Sequence, residues 1–443
     1  EWDDVNSECT GEGVVYDFEI YPSDFCTEML DSKHCWDAHD HLPASSNRNI
    51  FTSINGTKTW FNVSAAQTPN MDSASKLAFL DNDIDFNGNG TDNQDAKDLI
   101  YWVRGITTDD GHAARNRTTS NGISWFLDDI VYSTPVVVGK PSLASVPLEL
   151  AVESCQSGDD CFYDYRERLS ERDQVAYVGA NDGMLHAFLV GEYNSTSEEW
   201  GYAGGTDPDG DGDEIGEELW AYIPSNLLSE LKELARPTYG TESGCQHRYM
   251  VDLSPSIFDV MIDHDDDGTR EWRSVLLGGE REGGDVYFAL DVTNATNANQ
   301  IEVLWEYPVL RNMVSYNGTA YSQPFKNISA YHDVKNLAAS YSPPVVGRLN
   351  IPSDTGFKVV DKRFNPTESD ASVASEIVTD TDLGKYYAFI GGGVKYFDND
   401  NINGTDTPLK PYMLAIDIET GINIFQYIWP YLQNEYSSEW TLP

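Results

Sequence analysis

The residues best suited to chemistry are aspartates on alternate positions. In TDPDGDGDEIGEELW, residues 206–220, Asp207, Asp209, Asp211 and Asp213 fall two apart and lead into a hydrophobic run. Carboxylates at that spacing repel one another, and neither a helix nor a strand gains from it, so a cation is the natural compensation. Set against the 12-residue calcium loop, Asp207, Asp209 and Asp211 take positions 1, 3 and 5, Gly212 the sixth, Asp213 the seventh and Glu218 the twelfth. Alternate side chains can then face one ion, the glycine permits a sharp turn, and Glu218 can close the sphere with two oxygens. Glu214 stands where an aliphatic residue is usual, with Ile215 one place late, and no helix pair flanks the loop. The loop is therefore expected as an insertion between two strands. A solvated acidic turn is the competing reading; the match in both spacing and residue type favours Ca2+.

Weaker loops follow the same logic. DIDFNGNGTDNQD puts Asp83, Asp85 and Asn87 at alternate positions, followed by Gly88 and Asn89, but its twelfth position is Gln94, with Asp95 adjacent. DHDDDGTREW offers Asp263, Asp265, Asp267 and Gly268, and a hairpin turn explains it equally well. In DNDNINGTD, residues 398–406, Ile402 interrupts the alternation.

The bulk composition narrows the partners. Acidic residues number 73 against 28 basic ones, a net charge of −45 that repels nucleic acid and anionic membranes. It suits cation binding, or a saline medium that screens the self-repulsion. Hydrophobic residues make up 40% and aromatics 12% of 443 residues, which supports a substantial core and argues against global disorder. No run approaches the roughly 18–20 apolar residues of a membrane span. The chain opens on Glu1 rather than Met, and is expected to be a mature or trimmed fragment.

The six cysteines form no CxxC pair and no zinc-ligand cluster. Their even number favours an oxidising compartment. Cys155 and Cys161 close a short loop, CQSGDDC, and are the first candidate bridge; Cys26 with Cys35 is the second. Nine Asn-x-Ser/Thr sequons, at Asn55, Asn62, Asn89, Asn116, Asn194, Asn294, Asn317, Asn327 and Asn403, fit a secreted surface protein.

The elements that must position these loops are mostly strands. Residues 1–45 look like an irregular, Cys-containing lead-in, and residues 46–443 like one β domain, incomplete at its C-terminal end. One short helix is expected, over SNLLSELKELA (225–235), starting at a Ser-Asn cap after Pro224. Elsewhere short runs rich in Val, Ile, Tyr and Phe alternate with Gly, Asn, Asp and Pro. A four-part phrase recurs. A Ser/Thr-Pro strand (STPVVVG at 133–139, SPSIFDV at 254–260, SPPVVGRL at 342–349) precedes an apolar strand ending in glycines. A strand carrying Ala (LHAFLV, YFALDVT, MLAIDIETG) comes next, and an aromatic strand (LWAYIP, VLWEYPV, IFQYIWP) closes the unit. A four-stranded unit cannot bury both faces alone, and radial stacking of such units gives a β-propeller; a sandwich would not call for the ordered phrase.

VGANDGMLHAF followed by ELWAYIPSNLL, LDDIVYSTPVVVG preceded by WVRG, and WRSVLLGG followed by GGDVYFALDVT together resemble one family. It is the PilY-type (PilC-type in some species) family of type IV pilus biogenesis factors and tip adhesins. The resemblance runs from RNIFTSING (48–56) to ETGINIFQYI (419–428). It implies a quinoprotein-like β-propeller and a non-enzymatic, pilus-associated protein at the pilus tip or outer membrane. It also implies minor pilins and a surface or host ligand as partners, with calcium as regulator. The chain departs from the family in having no Asp-x-Ser-x-Ser motif of a von Willebrand A-type region, and no Arg-Gly-Asp, since Ile106 follows Arg104-Gly105.

Two other functions compete. A secreted quinoprotein oxidoreductase shares this kind of propeller, but the chain has no adjacent cysteine pair and no evident tryptophan-docking repeat. His186, on an apolar strand, is of a kind more often satisfied in a core than catalytic. No GxSxG, HExxH or phosphate loop is present. The remaining alternative is a surface-layer or filament subunit.

Overall fold

The β-branched and aromatic runs form strands, since such side chains fit a pleated, half-buried surface. The computed structural model describes, in the main, residues 41–106, 114–117, 125–143, 160–202, 215–240, 247–264, 268–284, 286–307, 342–349, 385–391, 412–421 and 423–428. Most of the expected lead-in lies outside them, apart from the pair β1 (Trp2–Asp3) and β2 (Glu8–Cys9). Hairpin β3 (Ile50–Ile54) and β4 (Thr57–Trp60) turns at Asn55 and Gly56, both with positive φ, as a tight two-residue turn requires.

The recurring phrase becomes three four-stranded antiparallel units, each meandering in sequence order; the first is part of a seven-stranded sheet and the other two are sheets of their own. The first unit contains β5 (Val136–Val138), β6 (Gln174–Gly179), β7 (Leu185–Asn194) and, after the side strand β8 (Glu199–Tyr202), β9 (Glu218–Ile223). The second contains β10 (Ser256–Ile262), β11 (Glu271–Gly279), β12 (Tyr287–Asp291) and β13 (Glu302–Tyr307). The third begins with β14 (Val345–Leu349). The two-stranded ladder β15 (Lys358–Val360) and β16 (Ser375–Ile377) intervenes before β17 (Lys385–Gly391), β18 (Tyr412–Asp417) and β19 (Asn423–Ile428) complete it. Strand β3 adds in parallel to the outer edge of β9 and so covers it. Among the described residues the units do not close into a ring; the propeller expectation is met in the units and their contacts, not in closure.

The Ser/Thr-Pro segments join the first unit to the second. The Tyr132 N–H donates to Asp252 Oδ1 (3.0 Å) and the Thr134 N–H to Ser254 Oγ (2.9 Å). The third-strand alanines have an equally local cause. Ala187, Ala289 and Ala415 lie directly opposite Trp220, Trp305 and Phe425 in register, and in the first two units a small residue thus faces a large indole ring. Next to each pair the register slips by one residue, leaving Leu219, Leu304 and Ile424 without an opposite partner.

The tryptophans then reach across to the following unit. Trp220 Nε1 donates to the Ala295 carbonyl at 2.8 Å, and Trp305 Nε1 to the Ile418 carbonyl at 2.9 Å. A repeated tryptophan dock is therefore present, contrary to the sequence-based expectation; insertions of different length hide it in the linear spacing. Trp305→Phe keeps most of the ring but leaves the Ile418 carbonyl without its donor. It is expected to cost about 1–3 kcal/mol, read as a lower urea midpoint at unchanged slope.

The helix content also differs from expectation. Asn93–Arg104 is helical, with Asp92 and Asp95 forming a capping box and Gly105 closing the end at φ 91°. Phe162–Arg168 and Ala74–Leu77 are further helices. The helix expected over 225–235 breaks into a 3-10 turn, Ser225–Ser229, and a short helix, Leu231–Ala235. Ser225 does not cap it: its N–H and hydroxyl both donate to Glu306 (2.7 and 2.5 Å). Cys155 and Cys161 are bonded, as expected; Cys26, Cys35 and Cys245 lie outside the described residues.

Candidate functional site

Asp207, Asp209, Asp211 and Asp213 belong to the stretch 203–214 between β8 and β9, which lies outside the described residues. The strands on either side of it are described. Where the chain re-enters the sheet, the Gly216 N–H donates to the Leu189 carbonyl (2.6 Å), and the Leu189 N–H to the Glu217 carbonyl (3.0 Å). The slip at Leu219 matters here. Without it, Glu218 would fall on the face opposite His186; with it, Glu218 pairs with Phe188 and shares the face of His186.

The shared face carries a buried chain of alternating charge. Glu218 Oε2 accepts from Arg48 Nε at 2.6 Å, and Oε1 from Arg48 Nη2 at 2.7 Å. His186 Nδ1 lies 2.7 Å from the same Oε1, and its Nε2 lies 3.1 Å from both carboxylate oxygens of Asp182. All four side chains are buried. The order Asp182, His186, Glu218, Arg48 alternates minus and plus and sums to zero, the arrangement in which buried charge is least costly. Burial disfavours the His186 imidazolium, but Asp182 and Glu218 outweigh it and lift the pKa to about 9. Burial likewise disfavours the Glu218 carboxylate, yet Arg48 and His186 hold its pKa well below the usual carboxylate range. Arg104 fastens the segment that carries Arg48, donating from Nη2 to the Arg48 carbonyl (2.7 Å) and from Nη1 to the Phe61 carbonyl (3.2 Å).

This geometry corrects the role expected for Glu218. Both of its oxygens face cations of the protein itself, so it serves as the keystone of this charge chain and is not free to act as the twelfth ligand. His186 is a satisfied core histidine, as its apolar strand suggests, though carboxylates satisfy it. Sequence reasoning missed Arg48 and Asp182. Asp182 stands four residues before His186 across a turn, a usable signal; Arg48 lies 170 residues from Glu218, and no local pattern reveals it.

In the second loop the oxygens are also committed. Asp83 accepts two bonds from Arg236 Nη2, at 2.8 and 2.9 Å. Asp85 accepts from the N–H groups of Gly88 (2.7 Å), Asn89 (3.2 Å) and Gly90 (2.9 Å), and the Gly90 bond leads in holding its pKa below the ordinary value. Asn87 Oδ1 accepts from the Asn89 N–H at 3.1 Å, and Asn89 is exposed. Asp95 is occupied with the Phe86 and Asp92 N–H groups. As placed, these residues shape a turn before the helix Asn93–Arg104. In the third loop Asp263 accepts from the Gly268 N–H (2.9 Å), while Asp265 and Asp267 lie outside the described residues, as does 398–406.

One cluster with mixed ligands also forms, of His264, Asp291 and Glu302. Arg273 lies against it, with Nη2 2.7 Å from His264 Nε2 and Nη1 3.7 Å from Asp291 Oδ2. A guanidinium already supplies the positive charge there.

Comparison with known proteins adds the family. Residues 127–338 match the PilY1 beta-propeller domain. A type IV pilus biogenesis factor PilY1 homolog of Xylella fastidiosa is 31% identical over 223 residues, 50% of this chain and 12% of that protein. The type IV pilus biogenesis factor PilY1 of Pseudomonas aeruginosa strain PAK is 30% identical over 311 residues, 68% of this chain and 21% of that protein. The crystal structure of the Pseudomonas aeruginosa PilY1 C-terminal domain is similar at 22% identity and a TM-score of 0.32, covering 66% of this chain and 36% of that one. The matched stretches thus span 12% and 21% of the two curated relatives' length.

Proposed function

Since the chain belongs to the PilY1-type family, matching its propeller domain over residues 127–338, we propose that it is a non-enzymatic factor of the type IV pilus system. It helps pili assemble and attach, at the pilus tip or outer surface, in contact with minor pilins and with a surface or host ligand. The family match carries this reading. Two observations accompany it: a rigid set of four-stranded units suited to presenting loops, and, among the described residues, no helix long and apolar enough to cross a membrane.

Calcium is the regulator in this reading, held by Asp207, Asp209, Asp211 and Asp213. Its chemistry is to replace mutual carboxylate repulsion with shared coordination, which orders the loop. Glu218 stays outside this shell, and the residues at 83–89 do not contribute a second one. In this reading the four-stranded units are blades of a quinoprotein-like propeller.

The test combines two arms. Cells lacking the protein are expected to lose surface pili and attachment, and full piliation in their absence would reject the pilus role. Calorimetric titration of the purified chain with CaCl2 is expected to show saturable binding that disappears in Asp209→Ala and Asp211→Ala. Equal affinity in wild type and both variants would reject the loop assignment while leaving the pilus role standing.

A further inference from the structure

A hydrophilic cavity of about 380 Å³ opens where three parts of the chain meet: the segment before β3, the start of β9 and the 294–300 turn after β12. Its polar lining comes from Asn47, Asn49, Glu217, Thr296, Asn297 and Asn299. The volume lies at the small end of the range for ligand pockets, about 300–1,000 Å³.

The wall is rigid. The 294–300 turn is pinned at its start by Trp220 Nε1 on the Ala295 carbonyl (2.8 Å), and beyond it by Lys58 Nζ on the Ile301 carbonyl (2.7 Å); Lys58 Nζ also donates to the Ala298 carbonyl. Asn297 Oδ1 accepts from the Asn299 N–H (3.0 Å) and so caps the turn. On the opposite side Asn49 is fixed at both ends of its amide. Its Nδ2 donates to the Leu219 carbonyl (3.1 Å), and its Oδ1 accepts from Gln67 Nε2 (3.3 Å). Asn47 and Asn299 are exposed and stand on the two facing walls.

The lining selects the ligand by elimination. An anion finds no cation here, because no lysine or arginine lines the cavity. A divalent cation finds too little negative charge: of the two carboxylates among the described lining residues, Glu218 is neutralised by Arg48 and His186. An apolar ligand finds only Pro43, Leu219 and Ala298. What remains is a small neutral molecule rich in groups that both donate and accept. The Nδ2 donors of Asn47, Asn297 and Asn299, with amide oxygens that can each accept a second bond, complement neighbouring hydroxyls on a sugar ring.

We infer that this cavity binds a neutral saccharide unit, held by the amides of Asn47, Asn297 and Asn299 with Thr296 and Glu217. The ligand class deepens the attachment role proposed above and rests on it for its biological meaning. Because binding is measured on the purified chain, its failure is distinguishable from a failure of the pilus role.

Saturation-transfer NMR and calorimetry would use glucose, galactose, mannose and N-acetylglucosamine as probes, with CaCl2 as an alternative ligand. At least one sugar is expected to bind with millimolar affinity. The exposed double variant Asn47→Ala/Asn299→Ala is expected to weaken it about tenfold or more while keeping the wild-type unfolding midpoint. Thr296→Val is expected to weaken the same sugar as a second, independent probe of the wall. Absence of binding for all four sugars would overturn the inference, as would binding left unchanged in both variants. Calcium binding lost in the same double variant would also overturn it, by making the cavity a cation site.

Discussion

Glu218→Ala is expected to destabilise the folded chain by about 3–5 kcal/mol, the usual cost of removing one partner from a buried ion pair. The carboxylate accepts two bonds from Arg48 and lies beside His186, and all three side chains are buried. Its removal leaves the guanidinium buried with no counter-charge in contact. Arg48 Nη1 already has no hydrogen-bond partner among the described residues, which deepens the penalty. The cost should be mostly electrostatic, and a second variant separates it from cavity formation. Glu218→Leu combined with Arg48→Met removes both charges while filling the space, and is expected to recover most of the loss. Urea unfolding at pH 6 gives both numbers from the midpoint at constant slope. A loss below about 1 kcal/mol for Glu218→Ala would mean that the pair is not the keystone described here.

The contrast between Glu218 and its neighbours shows where sequence reasoning works and where it stops. The recurring strand phrase became three four-stranded units because strand identity depends on local residue type. The bridge in CQSGDDC formed because ring closure is local too. Even the alanine of each third strand has a local meaning once its opposite number, Trp220, Trp305 or Phe425, is known. The slip at Leu219 is different. It leaves no mark in residue type, yet it turns Glu218 from the face of Ala187 and Trp220 to the face of His186. Counted along the chain, Glu218 is the twelfth residue of a calcium loop; counted by sheet register, it is the partner of Arg48. The helix Asn93–Arg104 was legible in principle, since Asp92, Asp95 and Gly105 spell its start and stop. At Asp85 three backbone N–H groups supply what a cation would have supplied, an outcome that depends on turn geometry and not on composition.

The same charge chain predicts how stability changes with pH. The His186 imidazole rises from an ordinary 6.5 to about 9 on folding, because Asp182 and Glu218 favour its charged form despite burial. A raised folded pKa means the folded state holds the proton more tightly. The stabilisation is therefore complete below about pH 6.5 and is lost as pH climbs through about 9, by roughly 3 kcal/mol in all. Glu218 acts in the opposite sense. Its folded pKa lies well below the ordinary 4.5, so its contribution is present above that value and is lost as the solution becomes more acidic. Between about pH 4.5 and 6.5 both terms are satisfied, and the chain of charges contributes most there. Glu306 has the opposite sense to Glu218, since burial raises its carboxyl above the ordinary 4.5 and its contribution is lost as pH rises from there through its raised folded value. Its titration begins at lower pH and involves no histidine, so His186→Gln distinguishes the two. The wild-type unfolding free energy is expected to fall between pH 6.5 and 9, and His186→Gln, less stable at pH 6, is expected to fall less over that interval, the remaining slope coming from groups such as His247 whose pKa is also raised. A wild-type profile no steeper than the variant's would mean that His186 is neutral in the folded chain, and Asp182 would then face an uncharged ring. The alternation of charge would fail at its second member, and with it the physical reason that four ionisable groups can be buried together.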